Sequence, residues 1–552
     1  MPSRTGTLRT VLRYGRTVRT VYRDGVVHAR VAGAAQALVV LDGRIAWIGP
    51  DDDAPTDGVD EVVRLDGALV TPGFVDAHAH VLETGFALTG VDLSAAPSLA
   101  AALDAVARGT RLGPGPLLGH GWDETAWPER RPPTREELDR ATGDGVAYLS
   151  RADLHSAVVS TALADRAGCA EAAGWRPDGL VAGEAHHRAR LAVRDVAPQR
   201  REQLYRTALG AAAAAGVVSL HEHSAPFLDT REGLNDLLAL TQDAASGLPG
   251  VVGYRAELCV TVDDARALLR AVPGLTGIGG DLNVDGSLGS RTAAVKLPYH
   301  DAEPGHRGSL YLSAEQVANH VAAVTRAGVH AAFHVIGDRA MDEVLLGFQA
   351  AGDVEGITAI RAAGHRLEHA EMVDAAALAR ILLFGLTVSA QPAFDAAWGG
   401  RDGMYARRLG AVRAADMNPL ADLADAGVPL AFGSDSPVTP IDPWAGVLAA
   451  ARHHEPGQRL SLEASFRAHT VGGRRAANGR HTEDGELRVG APASFAVWRV
   501  SGLAHEERTG MRTWRAEPAA PPLPLPELVS GGSAPVCLRT VRDGVVLHDL
   551  LG

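Results

Sequence analysis

The chain has 552 residues, 46% of them hydrophobic and 22% charged, and a net charge of −13. A chain this long buries roughly three quarters of its extended surface and needs no disulfide staples; Cys169, Cys259 and Cys537 provide neither a disulfide framework nor a cysteine zinc knuckle. The acidic balance argues against a nucleic-acid partner, no apolar run reaches membrane-span length, and a reducing, cytoplasmic location is expected.

The first residues, MPSRTGTLRTVLRYGR, lack the apolar centre of a secretory signal. Residues 7–68 read as short β segments, with Asp24-Gly25 and Asp42-Gly43 as hairpin turns. RTVRDGVVLHD at 539–549 is similar to RTVYRDGVVHA at 19–29, so the two ends are expected to pair in one sheet.

From residue 69 the rhythm changes. Eight apolar β segments, at 69–77, 217–222, 253–260, 280–286, 330–335, 364–369, 386–391 and 430–435, alternate with Ala-rich amphipathic stretches. Strands alternating with helices imply a parallel α/β sheet, and eight of them imply a closed barrel. The gap between the first two is about 140 residues, far beyond an ordinary connection. It is expected to hold an inserted subdomain at about 85–205. Residues 516–536 read as a Pro-rich connector.

In a barrel, chemistry belongs at the C-terminal strand ends. The first segment ends with His78 and His80, two apart and so on one face of an extended strand. The fifth offers His334, the sixth His369 and the eighth Asp435. Four imidazoles and a carboxylate at the ends of four strands make a metal-site inventory.

These residues carry a resemblance. TPGFVDAHAH, His334, His369 and GSDSPV resemble the metal-dependent amidohydrolase superfamily. GHGWDE (119–124), RADLHSAVVSTAL (151–163), VDGSLGSRTAA (284–294) and HVIGDRA (334–340) resemble its N-substituted formamide deformylase-like branch. The resemblance implies a distorted (β/α)8 TIM barrel over 69–486, with a small β-sandwich built from residues 1–68 and 487–552.

It also implies a hydrolase of a carbon–nitrogen bond, probed first as a non-peptide linear amide. The expected metal ligands are His78, His80, His334 and Asp435. Asp435 would also take a proton from the attacking water and pass it to the leaving nitrogen. His369 is either a further ligand or a donor to the developing oxyanion. Zinc is the default ion for such a donor set, with iron, manganese or cobalt as alternatives.

Many binuclear members of the superfamily bridge two ions with a carbamylated lysine. Here the corresponding position is Asp281, and the chain's one lysine, Lys296, lies well beyond it. Arginine cannot substitute, because it keeps its proton. A single metal is expected ahead of a pair bridged by Asp281.

Substrate contacts are expected from the insert, through Trp122, Asp123, Arg151 and His155, and from Glu222, Asp285 and Arg291. By strand alternation Asp281, Asn283 and Asp285 would share one face. HHE at 453–455 reads as surface. A metal-dependent esterase, lactonase, decarboxylase or hydratase on the same scaffold is one rival reading, and a non-catalytic metal- or ligand-binding protein is another. The partner expected is a small-molecule substrate, with no nucleic acid and no membrane; a homodimer is left open.

Overall fold

A computed structural model describes residues 19–31, 34–110, 115–143, 145–477, 485–504, 523–528 and 532–551. The first eighteen residues of the terminal β unit, and residues 516–522 and 529–531 of the Pro-rich segment, lie outside them.

Eight parallel strands form one sheet in sequential order. They are β1 (Phe74–Ala79), β2 (Val217–Ser224), β3 (Gly250–Arg255), β4 (Leu275–Asn283), β5 (His330–Val335), β6 (Arg366–His369), β7 (Thr387–Ala390) and β8 (Leu430–Phe432). A parallel bridge from Ala79 to Ser436 joins β1 to the segment after β8, so the sheet closes at its C-terminal end. The strands are apolar on their outer face because helices cover them. Ala331, Phe333, Val335, Leu367 and Val388 share one buried cluster with Val344, Phe348 and Ile381 of those helices. The chain is a (β/α)8 barrel.

The terminal segments build two further sheets. Arg44–Gly49, Ala37–Leu41, Arg19–Arg23 and Glu61–Arg64 form one. Val26–Val27, Leu69–Pro72, Phe495–Arg499, Val536–Arg542 and Val545–Asp549 form the other, which therefore mixes both ends of the chain. One apolar core, with Tyr22, Leu38, Val63, Val70, Phe495 and Val541, lies between them. Asp42-Gly43 and Asp543-Gly544 each turn an antiparallel hairpin with both residues at positive φ. Asp24-Gly25 does not make the expected hairpin: Arg19–Arg23 pairs in the first sheet and Val26–Val27 in the second, so the dipeptide carries the chain between them.

The expected strand at 69–77 divides for a related reason. Leu69–Pro72 belongs to the terminal sheet and Phe74 begins the barrel. Gly73 sits at the junction, where a Cβ would fall 2.3 Å from Val218 Cγ1.

Between β1 and β2 a five-stranded sheet is inserted, ordered Leu180–Ala182, Ser156–Val159, Ala147–Arg151, Leu117–Trp122 and Val91–Asp92. Helices Leu99–Gly109 and Arg135–Thr142 contribute to one buried cluster of this sheet, and Thr161–Ala167 and Gly183–Arg194 to another. The insert is thus a layered unit with its own core. No helix among the described residues is long and apolar enough to cross a membrane.

Candidate metal centre

The polar residues gather where β1, β4, β5, β6 and β8 end. His78 is on β1 and His80 follows it. The Asp76 carboxylate accepts hydrogen bonds from Ser434 N (2.9 Å) and Ser434 Oγ (2.6 Å), and His80 N donates to Ser436 O at 2.9 Å. These bonds lock the His-x-His segment to the loop that carries Asp435.

Asp281 reaches the same point through an irregular strand. β4 pairs with β5 up to Gly279, opposite Ala332, and resumes with Asn283 opposite His334. Two extra residues are accommodated there as a bulge, made possible by Gly279 and Gly280 at φ +127 and +87. A side chain at 280 would meet His223 Nδ1 at 2.2 Å. A Gly-Gly pair inside a strand pattern is the sequence signal for such a bulge.

Two carboxylates face four imidazoles. Asp281 Oδ1 lies 3.4 Å from His78 Nε2, 3.7 Å from His334 Nδ1 and 3.8 Å from His369 Nε2, and its Oδ2 lies 3.1 Å from His80 Nε2. Asp435 Oδ1 lies 3.1 Å from His80 Nε2 and 3.5 Å from His78 Nε2. The opposite ring nitrogens all reach protein oxygens. His78 Nδ1 donates to Glu368 Oε2 (3.0 Å), His80 Nδ1 to His223 O (3.1 Å), His334 Nε2 to Gly286 O (3.2 Å) and His369 Nδ1 to Gln391 Oε1 (2.8 Å). Each ring is thereby set with its other nitrogen turned inward, ready to carry a proton or a cation.

The donor set fits a metal ion. His78 Nε2, His369 Nε2, Asp281 Oδ1 and Asp435 Oδ1 are buried without a hydrogen-bond partner. Ligand atoms of His78, His80 and Asp435 lie within 4.8 Å of one another, as do those of His78, Asp281 and His369. His78, His223 and Glu368 also cluster this closely. There the Arg366 guanidinium holds Glu368 through Nε and Nη2, both at 2.9 Å, and would repel a cation.

The electrostatics agree with a charge-balanced centre. Burial opposes protonation of His78, but Asp281 and Asp435 override it and hold the ring at about 10. His80 is raised by the same two carboxylates against burial. Burial would raise Asp281, yet His80 and His78 hold it well below the usual carboxylate range. Glu368, buried beside Arg366, is likewise held low. Backbone strain gathers at the centre too: His369 and Asp435 adopt φ +68 and +54, conformations that non-glycine residues rarely hold.

Several expected substrate contacts lie elsewhere. Trp122 is in the insert core, its indole N–H bonded to Leu149 O at 2.8 Å. Arg151 is buried and held by Asp123 (2.9 Å), Glu124 (2.9 Å) and Asp153 (3.2 Å), so Asp123 and Arg151 brace the insert. Asp285 does not share the face of Asp281, because the bulge breaks the alternation. Its carboxylate instead accepts from the backbone nitrogens of Ala294, Ile336 and Gly337. Arg291 forks onto Asp301 through Nε and Nη2 (3.0 and 2.9 Å).

Glu222 accepts from Val81 N at 2.6 Å and so caps the helix that follows His80; burial raises it to about 7. His155 is at the centre's edge, its ring 5.2 Å from that of His334. Lys296 lies on the outside, paired with Asp342 at 2.8 Å. The expected surface position of the HHE segment holds for His454 but not for His453, which is buried 3.5 Å from Asp395.

Sequence reasoning missed Glu368 and Arg366. The His223 ring stacks on His78 at 3.9 Å and on Tyr254 at 4.8 Å. Arg366 Nη1 donates to Tyr254 Oη and to His221 Nδ1, both at 2.9 Å.

Several known proteins are similar to this chain. Residues 61–548 match a family model described as the amidohydrolase family. The chain is 27% identical to amidohydrolase YtcJ of Bacillus subtilis, over 78% of this chain and 83% of that protein. It is 26% identical to an N-substituted formamide deformylase of Arthrobacter pascens, over 84% of this chain and 90% of that protein. Among solved structures, an uncharacterized metal-dependent hydrolase from Pyrococcus furiosus superposes with TM-score 0.67 at 26% identity, covering 87% of this chain and 98% of that one.

Proposed function

The chain belongs to the amidohydrolase family and is a metal-dependent hydrolase, and on that premise we propose that it cleaves the carbon–nitrogen bond of a linear, non-peptide amide. The observation that carries the reading is the set of orphaned, inward-facing atoms of His78, His369, Asp281 and Asp435. His78, His80 and Asp435 would hold one divalent ion, with zinc the best match to imidazole and carboxylate donors. His334 and His369 would hold a second, and Asp281, with oxygens facing both groups, would bridge them. This placement favours two ions over the single ion expected from the sequence.

When bound, such an ion supplies Lewis acidity, making water acidic enough to attack at neutral pH and polarising the carbonyl. Asp435 would accept the proton of the attacking water and return it to the leaving nitrogen. Its Oδ1 lies on the inner side of the centre, 3.1 Å from His80, where it can do both. The His369 ring is held by Gln391 with Nε2 inward, suited to ligation or to donation toward a carbonyl oxygen. His155 would contact the substrate beside His334.

One relative is named an N-substituted formamide deformylase, so N-alkyl and N-aryl formamides head the panel that tests this reading. Purified protein should contain divalent metal and release amine from a panel member. Asp435→Asn should lower kcat by about 10²–10⁴ with metal retained. Full turnover by the metal-stripped protein or by Asp435→Asn would overturn the reading.

A further inference from the structure

Four of the imidazoles at the centre are committed. His78, His80, His334 and His369 are buried, each with one ring nitrogen bonded to a protein oxygen and the other turned toward the two carboxylates. Once those inward nitrogens hold cations, none of the four has an N–H left for a substrate. His155 differs. It is half-buried, so it stands on the more open side of the centre. Its ring lies 5.2 Å from that of His334, tilted by 51°. Asp281, which faces His334 Nδ1 at 3.7 Å, also acts electrostatically on His155, so the ring borders the same space. Among the described residues the His155 ring makes no hydrogen bond; the residue bonds to Asp153 Oδ1 through its backbone N, at 3.3 Å.

His155 belongs to the insert, yet it is fixed to the barrel on both sides in sequence. It closes the turn between the antiparallel strands Ala147–Arg151 and Ser156–Val159. Before it, Asp153 accepts from Ser287 Oγ (2.6 Å) and Ser290 Oγ (2.7 Å) of the loop after β4. After it, Ser156 Oγ bonds to Ser290 Oγ at 2.9 Å. That loop comes so close that a Cβ at Gly289 would fall 2.3 Å from Arg151 Nη1 and 2.6 Å from Asp153 Oδ2. The turn itself is bent at Leu154, with φ +56, and the Leu154 carbonyl accepts from Arg190 Nη2 at 2.6 Å. Backbone held in so rare a conformation marks a place that the surroundings over-determine. The polar residues on either side of His155 are thus all engaged in holding it, while its own ring is left open.

We propose that His155 is a catalytic residue of the hydrolysis, its ring N–H donating to the carbonyl oxygen of the bound amide, and that the insert's bonds to the loop after β4 serve to place it there. A fixed donor aimed at an oxygen on which negative charge builds stabilises the transition state more than the ground state. The inference rests on the metal-dependent amide reading of the neighbouring centre.

Calorimetric titration of zinc-reconstituted protein tests it with two probes: acetohydroxamate, which carries a carbonyl oxygen, and ethanethiol, which ligates through sulfur alone. His155→Phe, which keeps an aromatic ring against His334, should weaken acetohydroxamate by about ten-fold and leave ethanethiol binding and metal content as in the wild type. His155→Gln, which keeps an N–H, should recover most of that loss. With a formamide that the wild type turns over, His155→Phe should lower kcat by about 10²–10³. Unchanged acetohydroxamate binding in His155→Phe, an equal loss of both probes, or a loss that His155→Gln leaves in full would overturn the assignment and leave the hydrolase reading standing. The titrations need no substrate, so they decide on His155 independently of the amide panel. Acetohydroxamate binding equally to metal-stripped and reconstituted wild type would overturn the metal reading, and the assignment with it.

Discussion

Glu368 accepts the Nδ1–H of His78 at 3.0 Å, and both side chains are fully shielded from solvent. A carboxylate behind a ligating imidazole fixes its tautomer and raises its basicity. Glu368 is in turn held by Arg366, which reaches Ala77 O on the strand that carries His78. Glu368→Gln should therefore weaken metal retention by about 10–100-fold, read by competition with a chelator. Glu368→Ala, which leaves Arg366 buried and unpaired, should also cost about 3–5 kcal/mol of stability, read by denaturant unfolding.

Asp281→Asn separates one ion from two. An amide bridges cations poorly because it carries no charge. If Asp281 joins two ions, elemental analysis should show metal per chain falling by about half. An unchanged, single equivalent in both proteins would return the site to one ion on His78, His80 and Asp435.

Metal uptake should release protons. His78 is raised to about 10 and His80 is raised by the same two carboxylates, so both rings are protonated at neutral pH before a cation enters. Displacing a proton makes affinity rise with pH by up to about tenfold per unit for each proton released, up to the His78 value of about 10. Calorimetry in buffers of different ionisation enthalpy counts those protons. A heat independent of buffer would contradict the charge balance described here.

Arg151→Met tests scaffolding against substrate contact. Its guanidinium meets Asp123, Glu124 and Asp153, while Asp153 also accepts from Ser287 Oγ (2.6 Å) and Ser290 Oγ (2.7 Å) of the loop after β4. Removing the cation leaves three acids without it, at a cost of about 3–5 kcal/mol. Thermal or denaturant unfolding should show that loss with metal content intact. A raised KM at unchanged stability would instead place Arg151 against the substrate.

How far the sequence reached follows from the physics of each feature. The barrel was legible because a parallel strand covered by helices must be apolar along its outer face, and that pattern is local. His78, His80, His334, His369 and Asp435 stood out as polar interruptions where apolar segments end. The lone lysine carried similar weight: Lys296 lies on an outer salt bridge, and the inward position is held by an acid.

Other features needed three dimensions. Asp281 faces the centre and Asp285 does not, although alternation put both on one face, because the bulge at Gly279 and Gly280 breaks the register. Glu368 and His369 are consecutive, and strand alternation would send them to opposite faces. With His369 at positive φ, both the Glu368 carboxylate and the His369 ring close on His78. Trp122 and Arg151, which looked like pocket residues, are consumed by the insert's own core and ion pairs.

Residue type, spacing and apolar periodicity are written in the chain, and by themselves they determined the barrel and the inventory of possible ligands. Which of those groups meet was decided only by the tertiary structure, because a bulge, a left-handed residue or a buried counterion redirects a side chain through contacts with strands distant in sequence.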